Sequence, residues 1–175
     1  MIKDTDIDLV AKENGLTFKI VKTIILIESS GSGFDPKTGL IKIQFEPHIF
    51  KKYTGIIINN KVDVQGEEWK AFNEAYKLNS NATLLSTSFG LGQIMGFNFK
   101  AAGFKTVEDM YNSFKESELN QLRGMIKFIV SNKQMYLALC RLDWETFARL
   151  YNGPGYKKYS YDDKLRTTYE KIKGL

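Results

Sequence analysis

With 175 residues, 43% of them hydrophobic and 26% charged, the chain has the size and composition of one soluble globular domain with a sizeable core. Its net charge of +5, almost all lysine excess, suits an anionic polymer or simple solubility, and no block of like charges marks a nucleic-acid arm. No run approaches the eighteen or so apolar residues of a membrane span, and Met1-Ile2-Lys3-Asp4-Thr5-Asp6 is too acidic and polar for a secretory signal.

In chain order, Ile7 to Glu13 reads as a short helix stopped at Asn14-Gly15. Thr17 is placed to cap a second helix that runs to about Ser29. From Ser30 to Gly39, glycine, serine and Asp35-Pro36 predict an irregular loop. Leu40 to Phe45 alternates apolar and polar residues as a strand does, and Gly55 to Val64, with Ile56-Ile57-Ile58, Asn59-Asn60, Val62 and Val64, suggests a hairpin. Glu67 to Leu78 predicts a longer helix.

A glycine-rich stretch near residues 90–96 is expected to open another helix near Gly90, with Ser86 as its cap. Beyond it helical patterns dominate. Thr106 with Asp109 resembles a capping box. Leu119, Leu122, Ile126 and Ile129 recur at helical spacing, with Arg123 and Lys127 on another face, and Trp144, Phe147, Ala148 and Tyr151 form one stripe. With no repeat, low-complexity segment or proline-rich linker, residues 1–175 read as a single, mainly α (α+β) domain with a small β element in its first half.

Glu28 stands out chemically. It closes the apolar run Ile24-Ile25-Leu26-Ile27, and Val21, Ile24 and Glu28 share one helical stripe. Burial and the negative potential of a helix C-terminus both favour its protonated form, which prepares a general acid for work near neutral pH. The alternative is a glutamate that turns to solvent as the helix ends. One cysteine (Cys140) and one histidine (His48) leave little for a zinc site and exclude an internal disulfide. Cys140 is expected to pack as a small apolar residue. Hydrolytic chemistry in this chain falls to carboxylates, with no cofactor or metal. Gly90-Leu91-Gly92 lacks the third glycine of a dinucleotide loop, and no Gly-x-Ser-x-Gly elbow is present.

Four segments carry a resemblance: Ile27-Glu28-Ser29-Ser30-Gly31, Phe45-Glu46-Pro47-His48-Ile49-Phe50, Ser86 to Gly96, and Phe147 to Tyr156. Their order resembles the lysozyme-like superfamily of peptidoglycan-cleaving enzymes, especially goose-type lysozymes and soluble lytic transglycosylases. The closer resemblance is to the phage-type N-acetylmuramidase family of endolysins. Its Phe-Glu-x-His-x-Phe, Gln-Ile-Met-Gly-Phe-Asn, Asp-Trp-x-x-Phe-Ala-Arg and Tyr-Asn-Gly-Pro-Gly-Tyr runs are nearly all present, and the likeness extends roughly from Leu16 to Leu165. Phe89 departs from an expected tryptophan, and Gly92 from a bulkier residue.

The resemblance implies a two-lobed lysozyme-like fold with Glu28 at the base of a groove, and cleavage of the β-1,4 bond between N-acetylmuramic acid and N-acetylglucosamine. Water as nucleophile makes a muramidase; the sugar's own 6-hydroxyl makes a lytic transglycosylase; a groove without activity makes a wall-binding protein. Glu28 is then the acid. Glu46 either activates water or bonds a loop. Ser88 and Gln93 are candidates to orient water or sugar, against a cap and a surface amide. Tyr151 and Asn152 are candidates to touch the acid or the substrate, against a buried tyrosine with a satisfied hydroxyl; His48 reads as structural. The expected partner is bacterial peptidoglycan, met by a monomer without a wall-binding module. Expected too are peripheral contact with the anionic envelope, no nucleic acid, and synthesis in the host cytoplasm before release to the wall.

Overall fold

The computed structural model describes residues 2–60 and 64–173. Two helices come first, α1 (Asp4–Glu13) and α2 (Phe18–Ser29). The first starts three residues before the expected point, with Asp4 and Asp6 in its opening turn, where acidic side chains complement the helix dipole. Thr17 Oγ1 caps α2 by accepting from Ile20 N at 3.3 Å. The helix ends on Ser30 in the left-handed region (φ 56°), and Gly31 N donates back to Ile25 O at 3.3 Å, a Schellman closure that turns the chain away two residues past Glu28.

After the expected loop comes a three-stranded antiparallel sheet in the order β1 (Ile43–Phe45), β2 (Thr87–Phe89), β3 (Ile94–Met95). The first strand is shorter than the alternating run 40–45, because Ile41 makes only an isolated bridge to Phe34. Between β1 and β2 lie α3 (Pro47–Thr54), α4 (Gln65–Leu78) and α5 (Ser80–Leu85).

Two expectations fail here. Ile56, Ile57 and Ile58 form no strand: Ile58 drops into a small core while Ile57 points outward. Val62, the other arm of the expected hairpin, lies outside the described residues. Nor does a helix begin near Gly90. Residues 87–95 are a β-hairpin, and Ser86 closes α5 through its backbone N–H, its hydroxyl buried without a partner among the described residues.

The rest is helical: a 3₁₀ turn at Gly96–Asn98, then α6 (Val107–Glu116), α7 (Glu118–Ser131), α8 (Lys133–Cys140), α9 (Trp144–Tyr151), a 3₁₀ segment at Pro154–Tyr159, and α10 (Tyr161–Lys171). Thr106 and Asp109 form the expected capping box. Cys140 corrects another expectation, being exposed at the end of α8 rather than packed.

Most buried side chains join one cluster built on α1, α2, α6–α9 and the inner face of the sheet. A second, smaller cluster gathers Phe45, Phe50, Ile58, Ala71, Ala75 and Ala82 from β1 and α3–α5. Two cores joined by a short sheet give the two lobes of a mainly α, lysozyme-like fold. Among the described residues no helix is long and apolar enough to cross a membrane.

Candidate active site

The pleat of the sheet sorts side chains into two rows. Ile43, Phe89 and Ile94 stand opposite one another across the three strands and are all buried in the main core. One residue along, Gln44, Ser88 and Met95 form the next row, on the other face, and all three line a cleft of about 570 Å³. Glu28, Glu46, Gln93, Tyr151, Asn152 and Tyr161 complete much of its wall. All six candidate residues thus converge on one cleft, from four separate stretches of chain.

Glu28 enters from the C-terminal end of α2, and Asn152, the C-cap of α9, meets it: Asn152 Nδ2 donates to Glu28 Oε1 at 3.0 Å. Desolvation by burial pushes the Glu28 carboxyl up to about 7, and the bond from Asn152 opposes that rise only in part. Asn152 Oδ1 is buried with no hydrogen-bond partner among the described residues. Because Nδ2 occupies Oε1, a proton on neutral Glu28 belongs on Oε2.

Tyr151 packs its ring against Phe147 and Phe128 and donates its hydroxyl to Gly92 O at 2.6 Å. Burial and the neighbouring Glu28 charge raise its pKa, so it stays a neutral donor. A Cβ at Gly92 would come within 2.9 Å of that hydroxyl and closer still to Met125, so the absent side chain lets the turn seat against Tyr151. Phe89, the other departure, is buried between Phe72 and Tyr111 and lies off the cleft.

Gln93 sits in the left-handed region (φ 47°) at the end of the hairpin turn. Its Oε1 accepts from Ser88 Oγ at 2.9 Å and its Nε2 donates to Gly90 O at 2.8 Å. The side chain therefore clamps the turn, and Ser88 spends its proton on that clamp. Glu46 precedes α3 and contacts His48 Nδ1 through Oε2 at 3.3 Å, with His48 itself largely exposed.

Other cleft residues carry no motif in the sequence. Gln44, Tyr159 and Tyr161 line it, and an adjoining hollow of about 320 Å³ beside Glu28 adds Lys42 and Gln65. Lys42 Nζ donates to Ser29 O at 2.7 Å, a cation bonded to the last turn of the helix that carries Glu28. Gln65 pairs with both backbone groups of Ile43, at 3.0 and 2.8 Å, extending the sheet edge. Their only sequence signal was the strand pattern around Lys42 and Gln44. Among the described residues no group of three or more His, Cys, Asp or Glu is placed to hold a metal ion.

Residues 17–173 match a family model described as N-acetylmuramidase. The fold is similar to the crystal structure of Burkholderia AP3 phage endolysin, with a TM-score of 0.83 and 30% sequence identity, covering 97% of this chain and 69% of that one. Among curated proteins none matches.

Proposed function

The chain belongs to the N-acetylmuramidase family, and we propose that it is an endolysin-type hydrolase cleaving the β-1,4 bond between N-acetylmuramic acid and N-acetylglucosamine, with Glu28 as general acid. Family membership and the likeness to a phage endolysin support peptidoglycan hydrolase activity of the glycosidase type. The observation that carries the finer reading is the carboxyl of Glu28, raised to about 7 at the wall of the cleft and tethered by Asn152.

In this reading a glycan strand lies along the row Gln44–Ser88–Met95. Neutral Glu28 gives its Oε2 proton to the departing glycosidic oxygen as the bond to the anomeric carbon breaks. Positive charge grows on the sugar ring, and the carboxylate left on Glu28 supports it. Water then attacks the anomeric carbon, and Glu46, on the same cleft, is the candidate to take its proton. Tyr151, Gln93 and Ser88 hold the hairpin turn against α9, and Asn152 fixes the acid.

Digestion of purified peptidoglycan, followed by mass spectrometry of the soluble fragments, tests the reading. Hydrated reducing-end muramic acid is the expected product. Anhydromuramic ends, lighter by one water, would make the protein a lytic transglycosylase using the same acid. No fragments at all would leave a wall-binding protein. Glu28→Gln should lower the rate by roughly two or more orders of magnitude, the scale of a lost general acid, while the fold survives. Normal clearing by that variant would remove Glu28 from the role.

A further inference from the structure

A second cavity, of about 400 Å³, opens between α1, α7 and the turn after the 3₁₀ segment, and it shares no lining residue with the cleft. Arg123 and Lys127 stand on its wall at i and i+4 of α7, on one face of that helix. Among the described residues neither side chain makes a hydrogen bond or an ion pair. Two like charges one turn apart repel, and among the described residues no acidic side chain forms an ion pair with either. The place a Cβ would take on Gly103 (φ 91°) lies 2.7 Å from Lys127 Cδ and 3.2 Å from its Nζ, so the missing side chain lets that cation fold in over the backbone. The acidic residue on the wall, Glu13, pairs with neither, so the charged lining nets one positive charge.

Phe104, half-buried, adds apolar surface to the same wall. A bare inorganic ion would use the charges and leave that surface idle, whereas a sugar ring presents C–H faces to an aromatic side chain. The volume is near the lower end of small-molecule sites. We propose that this cavity binds an anionic saccharide, its phosphate or carboxylate held between Arg123 and Lys127 and its ring over Phe104. Arginine's planar fork matches such oxyanions in two-point fashion, and lysine adds a point charge. On an enzyme acting on a polymer, such a site gives a second hold away from the scissile bond and raises the effective concentration of the strand at the cleft.

Calorimetric titration of the whole chain at low ionic strength tests this with glucose 6-phosphate, glucose and inorganic phosphate as probes. Glucose 6-phosphate should bind, more tightly than inorganic phosphate, while neutral glucose gives no heat. Binding should weaken roughly tenfold or more in R123A/K127A and fade with added salt. Glu13→Gln should bind more tightly, a gain that misfolding cannot mimic. Glu28→Gln should bind as the wild type does, which keeps this test separate from that of the cleavage reaction. No binding of glucose 6-phosphate, or equal binding in R123A/K127A or in Glu13→Gln, would overturn the site. Inorganic phosphate bound as tightly as glucose 6-phosphate would overturn the role given to Phe104.

Discussion

Glu28 is held near neutrality by what surrounds it, and that has consequences for rate and for stability. The acid must carry its proton to act, so activity should fall as pH rises through about 7. Asn152 donates to the ionised carboxylate and so pulls the pKa down against burial. Asn152→Ala removes that pull, and the alkaline limb of the pH–activity profile should move to higher pH, even where the maximum rate drops from looser placement. An alkaline limb that stays put would show that the bond does not tune the acid. Stability follows from proton counting. The folded pKa lies above the ordinary value of 4.5, so between about 4.5 and 7 the folded state binds more protons than the unfolded chain. The contribution is complete below 4.5 and is lost as pH climbs through 7, amounting to about 2 kcal/mol after allowance for the opening onto the cleft. Glu28→Gln removes the ionisation, and its Tm should exceed that of the wild type at pH 8 and approach it at pH 4. An equal difference at both pH values would contradict the burial argument.

Elements whose signals are local were readable in the sequence, and elements made by distant partners were not. The N-cap at Thr17, the capping box at Thr106 and the stripe on α9 are each written within a few residues, and each stands where its pattern puts it. The hairpin at 87–95 carries no such signal. All three residues of β2 are buried, so it shows no alternation, and its partner β1 lies some forty residues earlier. The glycines there suggest the mouth of a helix in the sequence, yet in the fold they serve close approach. A Cβ on Gly96 would collide with the backbone carbonyl of Leu84, which cannot swing aside as a side chain would. Gly96→Ala must push β3 away from α5 and should cost roughly 2 kcal/mol or more. Chemical denaturation measures that loss; a change below about 0.5 kcal/mol would mean the contact relaxes freely. The six candidate residues were legible as parts of local motifs, but that they share one cleft became visible only through the register that sets Gln44, Ser88 and Met95 side by side.

At the scale of the molecule, α7 ties the two loops that border the cleft. Glu118, at the start of the helix, accepts from Ser32 Oγ at 2.9 Å and Gly33 N at 2.8 Å, holding the loop that follows Glu28. One turn on, Gln121 is fully buried; its Oε1 accepts from Leu91 N at 2.8 Å and its Nε2 donates to Phe114 O at 2.7 Å, holding the turn that carries Gln93. Gly33 and Gly90 close around that amide, and a Cβ on either would strike it. The sequence pattern of α7 does not single this residue out, since its partners lie seven and thirty residues away. Its removal has a price at two backbone groups at once. Gln121→Ala leaves the Leu91 N–H and the Phe114 carbonyl buried without partners and opens a void between the glycines, which together should cost about 2–4 kcal/mol. Because that void lies under the turn rather than at Glu28, the variant should keep the wild-type pH profile while losing turnover and stability together. Denaturation midpoints and pH–rate curves on soluble peptidoglycan fragments would separate these effects. A displaced pH profile with unchanged stability would mean that α7 acts on the acid itself and not through the loops it anchors.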